Sequence, residues 1–164
     1  MSIKDMSAEE IQGAIDGGYR AAGNVFRCMM DVLEAMYGKE EARKVAEEVV
    51  RLKAQAAGEV AAGRYGKGGF KNLAAAHRAG FPEIEVLELR PERYVIRDRR
   101  CPIVDGWRKS GLSEERIKEL GDLYCWGDLY FAQSFNPKIK LEFQGRLAEG
   151  KPHCQWVFTL ENSD

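Results

Sequence analysis

Apolar positions recur along this chain with two different periods, and the change of period divides it in half. Ile11, Ile15, Tyr19, Ala22, Phe26, Met29, Leu33 and Met36 repeat at intervals of three and four, the spacing of one buried helical face. Ser7 precedes the run with Glu10 three residues later, a capping-box pattern, and Gly38 closes it. Ala42, Val45, Val49, Leu52, Ala56 and Val60 outline a second amphipathic helix with charges opposite and Gly63 at its end. From Ala56 to Gly63 nearly every residue is small, which predicts a neighbour packed very close. Gly66-Lys67-Gly68-Gly69 reads as a connector rather than a phosphate cradle: no strand precedes it, and no Gly-Lys-Ser/Thr ending follows. A short helix around Lys71 to Ala79 then stops at Gly80-Phe81-Pro82.

Strand signals dominate afterwards. Ile84, Val86 and Leu89 before Arg90-Pro91-Glu92, and Tyr94-Val95-Ile96 after it, predict two strands joined by a turn. A helix is predicted from Ser113, as N-cap, to about Ala132, with Asn136-Pro137 stopping it. Ile139, Leu141, Phe143 and Leu147 then alternate with Lys140, Glu142, Gln144 and Arg146. Cys154, Trp156, Phe158 and Leu160 form the apolar face of a last strand, reached through Glu149-Gly150-Lys151-Pro152. The expected fold is α+β: N-terminal helices packed on one face of a roughly four-stranded, mainly antiparallel sheet, with a helix before the C-terminal hairpin. All 164 residues are expected to form one domain, helical over 7–80 and sheet-containing over 83–161.

Charge removes several functions. With 25 basic against 26 acidic residues, net charge -1, no basic excess drives counterion release, so no nucleic-acid partner is expected. No strongly basic amphipathic segment and no run of ~18 apolar residues occurs, so no membrane partner is expected either. Met1-Ser2-Ile3-Lys4-Asp5 lacks an apolar export region, which points to the cytoplasm and to free thiols at Cys28, Cys101, Cys125 and Cys154.

Candidate chemistry gathers in the second half. Cys125 and Asp128 share a helical face, and Asp128 falls near the stripe of Ile117, Leu120, Tyr124, Phe131 and Phe135. A carboxylate there is either a hydrogen-bonded tether or a functional group with a raised pKa. Cys125 by itself reads as a small core residue. Cys101 follows Arg97-Asp98-Arg99-Arg100, whose cations favour a nucleophilic thiolate or hold a substrate carboxylate; a solvated strand end is the simpler reading. His153, at the loop-to-strand junction, suits a general acid or base, whereas Cys154 shares the core face of Trp156 and Phe158. No nucleophile-elbow sequence supports a Ser-His-Asp triad.

Cys101-Pro102, Cys125-x-x-Asp128, Phe135-Asn136-Pro137 and the ending Gly150-Lys151-Pro152-His153-Cys154-Gln155-Trp156-Val157-Phe158 resemble the L-2-amino-thiazoline-4-carboxylic acid hydrolase family, over roughly Ile84 to Leu160. The ending is also similar to the 4-vinyl reductase domain and the wider transport-protein-particle fold. This resemblance implies an α+β fold, often homodimeric, with a small-molecule pocket between helices and sheet. It implies hydrolytic opening of a thiazoline ring to an N-carbamoyl cysteine. Under it, Asp128 or His153 transfers protons, Cys125 or Cys101 acts as nucleophile or lines the pocket, and Arg99 or Arg100 meets the carboxylate. Trp126 and Cys154 would be further substrate contacts. In zinc-binding relatives of the 4-vinyl reductase domain, Cys125 and Cys154 match two ligand places, but Phe143 and Arg146 stand in the other two and cannot ligate. No metal and no cofactor are therefore expected. Two other readings stand beside the hydrolase: a non-catalytic sensor or carrier using the same pocket, and a dimeric scaffold with an exposed apolar helix face and no cavity.

Overall fold

A computed structural model describes residues 6–160. The chain runs α1 (Ala8–Tyr37), α2 (Lys39–Tyr65), α3 (Phe70–Gly80), β1 (Glu85–Leu89), β2 (Arg93–Asp98), α4 (Pro102–Lys109), α5 (Glu114–Tyr124), α6 (Gly127–Gln133), β3 (Ile139–Phe143) and β4 (Cys154–Leu160). The strands form one antiparallel sheet in the order β1-β2-β4-β3, so the last strand lies inside it. Tyr94, Ile96, Trp156 and Phe158 pair across β2 and β4 and turn toward the helices. Val95, Val157 and the charged Arg97 and Glu142 occupy the opposite side of the pleat. The α+β architecture predicted from periodicity is the one observed.

Two clusters of buried side chains make the core. Phe26, Met30, Ala46, Val50, Trp107, Ile117 and Leu120 join α1, α2, α4 and α5. Leu73, Tyr94, Ile96, Phe135, Ile139 and Phe158 join α3 and the region after α6 to the sheet.

Local signals were read correctly at several ends. The capping box at α1 forms: the Ser7 hydroxyl accepts from the Glu10 N–H at 3.2 Å, and the Glu10 carboxylate accepts from the Ser7 N–H at 2.8 Å. Gly38 ends α1 at φ 81, and Ser113 caps α5.

Helix faces depart from the prediction. On α1 the buried residues are Asp16, Gly23, Phe26 and Met30, whereas Ile11 and Met36 are exposed. On α2 the difference is larger: the buried face is Ala42, Ala46, Val50, Ala54, Gly58 and Ala62, and Val45, Val49, Leu52 and Val60 face outward. The cause is close helix packing. A Cβ on Gly58 would stand 2.7 Å from the Phe131 carbonyl oxygen and 2.5 Å from the Ser134 hydroxyl, so at this end of the contact α6 leaves no room for a side chain.

Three further differences are local. Pro102 opens a helix, α4, where a strand end was expected, because proline suits the first helical turn. The predicted helix from Ser113 to Ala132 is two helices, α5 and α6, meeting at Cys125 and Trp126. Leu147 lies in a single 3-10 turn, Leu147–Glu149, rather than on a strand. No described helix is long and apolar enough to cross a membrane.

Candidate functional site

A cavity of about 280 Å³ lies at the seam between the two core clusters, walled by α2, α3, α6, β2 and β4 and by the segment entering α4. Val50, Lys53, Ala54 and Ala57 present one face of α2 to it, at intervals of three and four. Most of its walls are apolar, including Ile84, Ile96, Ile103, Phe131 and Phe158.

Asp128 enters from the first turn of α6. Its Oδ2 accepts a 2.6 Å hydrogen bond from the Trp156 indole N–H, which joins the helix to β4. Burial pushes the carboxyl up to about 6, against the opposing pull of that bond and of the Lys53 ammonium. Lys53 lies across the cavity, its ammonium donating to the Tyr124 hydroxyl and standing 4.3 Å from the centre of that ring. Partial burial lowers the Lys53 pKa, and burial pushes the Tyr124 hydroxyl up to about 12. Tyr19, on α1, is raised by burial and then by the Asp128 charge.

His77 forms the aromatic end of the cavity. It is buried, its Nδ1 lies 3.4 Å from the Tyr94 hydroxyl, and it stacks on Tyr94 and Phe131 at 5.8 and 5.7 Å. Burial pushes it down to about 4, so the ring is neutral at neutral pH.

Cys101, Cys125 and Cys154, which come from three separate elements, all line this cavity. None is poised as a thiolate. Burial pushes Cys101 up to about 11, Cys154 up to about 12, and Cys125 well above its ordinary value. Of the alternatives left open for Cys101, the thiolate gains no support: burial is the leading cause of its raised pKa, and the neighbouring arginines pair with other groups. Arg99 donates to Glu85 at 3.0 Å, Arg97 donates to Gln155 at 2.9 Å, and Arg100 pairs with Glu83 at 2.9 Å and with Asp16.

The other expected site residues separate. Arg100 reaches the mouth of the cavity, beside Asp98, but Arg99 does not line it. Trp126, at the junction of α5 and α6, is 41% exposed and meets Phe143 edge-on at 5.6 Å, outside the cavity. His153, in the bend before β4, does not line the cavity as Cys154 does. The group brought together is therefore Cys101, Cys125, Asp128, Cys154 and Arg100, without Arg99, Trp126 and His153. Among the described residues, no three His, Cys, Asp or Glu side chains are placed to hold a metal ion.

Sequence reasoning missed Lys53, His77, Tyr19 and Tyr124 as cavity residues. Lys53 carried one signal, a long cation among Ala54, Ala56 and Ala57; His77 carried another, a histidine after Ala74-Ala75-Ala76 on a short apolar helix.

No curated protein matches the sequence. Among solved structures, the phenol-responsive sensory domain of the transcription activator PoxR, bound to phenol, shares the fold at TM-score 0.53 and 14% identity, over 84% of this chain and 73% of that one. The L-2-amino-thiazoline-4-carboxylic acid hydrolase model matches residues 19–158, nearly all of the folded region, and the chain belongs to that family.

Proposed function

We propose that this protein hydrolyses a small heterocyclic or amidine-containing carboxylate, opening a ring of the L-2-amino-thiazoline-4-carboxylate type. The observation that carries the reading is Asp128, a carboxyl raised to about 6 inside a cavity of about 280 Å³. Such a group is ionised enough at neutral pH to accept a proton and acidic enough to return it.

In this scheme water adds to the ring carbon between sulfur and nitrogen while the Asp128 carboxylate takes its proton. Collapse of the tetrahedral adduct forms the carbonyl and breaks the carbon–sulfur bond: the remaining hydroxyl proton passes to the former ring nitrogen, and the protonated Asp128 delivers its proton to the departing sulfur. One ring and one water give one N-carbamoyl cysteine, without an oxidant or a metal. Trp156 positions Asp128 through its indole N–H. Cys101, Cys125 and Cys154 line the pocket as protonated thiols rather than acting as nucleophiles. His153 has no step, and the apolar walls hold the ring while excluding bulk water.

The test is direct: incubate the protein with L-2-amino-thiazoline-4-carboxylate and follow N-carbamoyl cysteine by mass spectrometry. Turnover that Asp128→Asn abolishes is the expected result; full turnover by that variant removes the acid–base role.

A sensor or carrier is the second reading, favoured by the apolar walls around a neutral His77. It predicts saturable binding of the small acid with no ring opening. We also propose that the chain pairs with itself through the outward side of α1, where Val25, Val32 and Met36 are exposed, and that it works in the cytoplasm.

A further inference from the structure

We propose that Lys53 is the specificity-determining cation of the cavity, fixing the carboxylate of the bound acid together with the hydroxyl of Tyr124. The inference rests on the proposed hydrolysis for its substrate class, but its binding step stands apart from any turnover.

Among the described residues, the other arginine lining the cavity and its two neighbours on the β2 side are matched by acceptors. Arg100 reaches the mouth but is held by Glu83 at 2.9 Å and by Asp16. Arg97 and Arg99 are taken by Gln155 and Glu85. Lys53 lines the cavity and makes no ion pair with any described carboxylate; its partner is the Tyr124 hydroxyl, with the ring of the same residue beneath it. Asp128 acts on it electrostatically but is bonded to Trp156 instead.

Lys53 is exposed as a residue, yet it lines the cavity and desolvation lowers its pKa, so an arriving anion meets an ammonium less fully solvated than one on open surface. The Tyr124 oxygen accepts from Lys53, and burial keeps that hydroxyl protonated, so its own O–H remains available to donate. Ammonium and hydroxyl together offer two donors side by side, the requirement for holding the two oxygens of a carboxylate. The α2 phase fixes this arrangement, because Lys53 shares the face of Val50, Ala54 and Ala57 that forms the wall. An acid held there places its ring between Asp128 and the aromatic end at His77.

The test pairs an acid with its neutral twin. L-2-amino-thiazoline-4-carboxylate and the corresponding carboxamide are titrated into the full chain by calorimetry, using wild type, Lys53→Met and Lys53→Arg. Wild type should prefer the acid by about tenfold or more, the size of one charge-assisted contact. Lys53→Met should bind both equally, at the wild-type affinity for the amide, and Lys53→Arg should recover part of the preference. Where turnover occurs, Lys53→Met should raise KM for the acid more than it lowers kcat, and the acidic limb of the pH profile should move upward, because the ammonium no longer draws the Asp128 carboxyl down. A Lys53→Met protein that keeps the acid preference overturns the proposal, as does one that weakens acid and amide alike, or a wild type that binds neither. A preference that Lys53→Met removes, with no ring opening by any form, upholds Lys53 and ends the hydrolase reading. Should Lys53→Met fail to fold, Lys53→Gln makes the same comparison.

Discussion

At Asp128 a carboxyl ordinarily ionised by pH 4 is held back to about 6 by burial, and its reactivity should follow that shift. As the proton acceptor it works in the ionised form, so kcat/KM is expected to rise through about pH 6 and level above it. Asp128→Asn should lower kcat by about 10²–10⁴ and erase that limb, which a pH–rate series would reveal. The thiols lead to a second prediction. Cys28 is exposed on α1, whereas Cys101, Cys125 and Cys154 face the cavity with raised pKa values. In a Val25→Glu, Val32→Glu protein, where the proposed pairing is lost, iodoacetamide at neutral pH should label Cys28 first, seen by peptide mapping; in the wild-type background Cys125→Ala should keep turnover within a few-fold. The helical spacing of Cys125 and Asp128 was legible in sequence, and both do face one cavity. The surroundings of Cys101 were not legible, because the carboxylates that capture its arginine neighbours are remote: Glu85 lies 14 residues from Arg99, and Asp16 lies 84 from Arg100.

At the scale of the element, α2 shows where periodicity fails. Its valines and leucine follow a helical repeat as faithfully as its alanines do, so hydrophobicity alone selected the larger residues. Contact with α6 selected the smaller ones, and the clue was the run from Ala56 to Gly63 rather than the stripe. Gly58→Ala should therefore destabilise the protein by about 1–3 kcal/mol despite the better helix propensity of alanine, since the obstructing Phe131 oxygen is backbone. Urea denaturation would measure it. The junction between α5 and α6 was equally hidden: Tyr124-Cys125-Trp126-Gly127 contains no proline, and its glycine costs a helix little enough to be read through. That step turns Trp126 outward while leaving Asp128 facing inward.

For the whole molecule, Asp128 and His77 set opposing dependences of stability on acidity. Between about pH 4 and 6 the folded protein keeps a proton on Asp128 that the unfolded chain has lost, so raising the pH through this window lowers stability. Between pH 6.5 and about 4 the unfolded chain protonates His77 while the folded one resists, so lowering the pH through that window lowers stability. His77→Phe should accordingly be less acid-sensitive than wild type. Asp128→Asn should be more acid-sensitive, yet more stable than wild type at pH 7.5; urea midpoints at pH 4.5 and 7.5 would show both. Sedimentation tests the proposed pairing, in which Val25→Glu combined with Val32→Glu should give a monomer. The four antiparallel strands and the helices on one face were legible from periods and turn residues. The cavity was not, because it forms where α2 and α3 from the first half meet β2, α6 and β4 from the second.

The position of β4 inside the sheet also bears on how the protein is made. Of the four strands, Cys154–Leu160 leaves the ribosome last, yet β2 and β3 have no contact in the sheet except through it. A nascent chain halted at Gly150 would hold its helices and the β1–β2 hairpin but leave Tyr94 and Ile96 without their cross-strand partners. Such a chain should be quickly cut by protease and should retain no small acid, and its final seven-residue strand completes sheet and binding chamber in a single event.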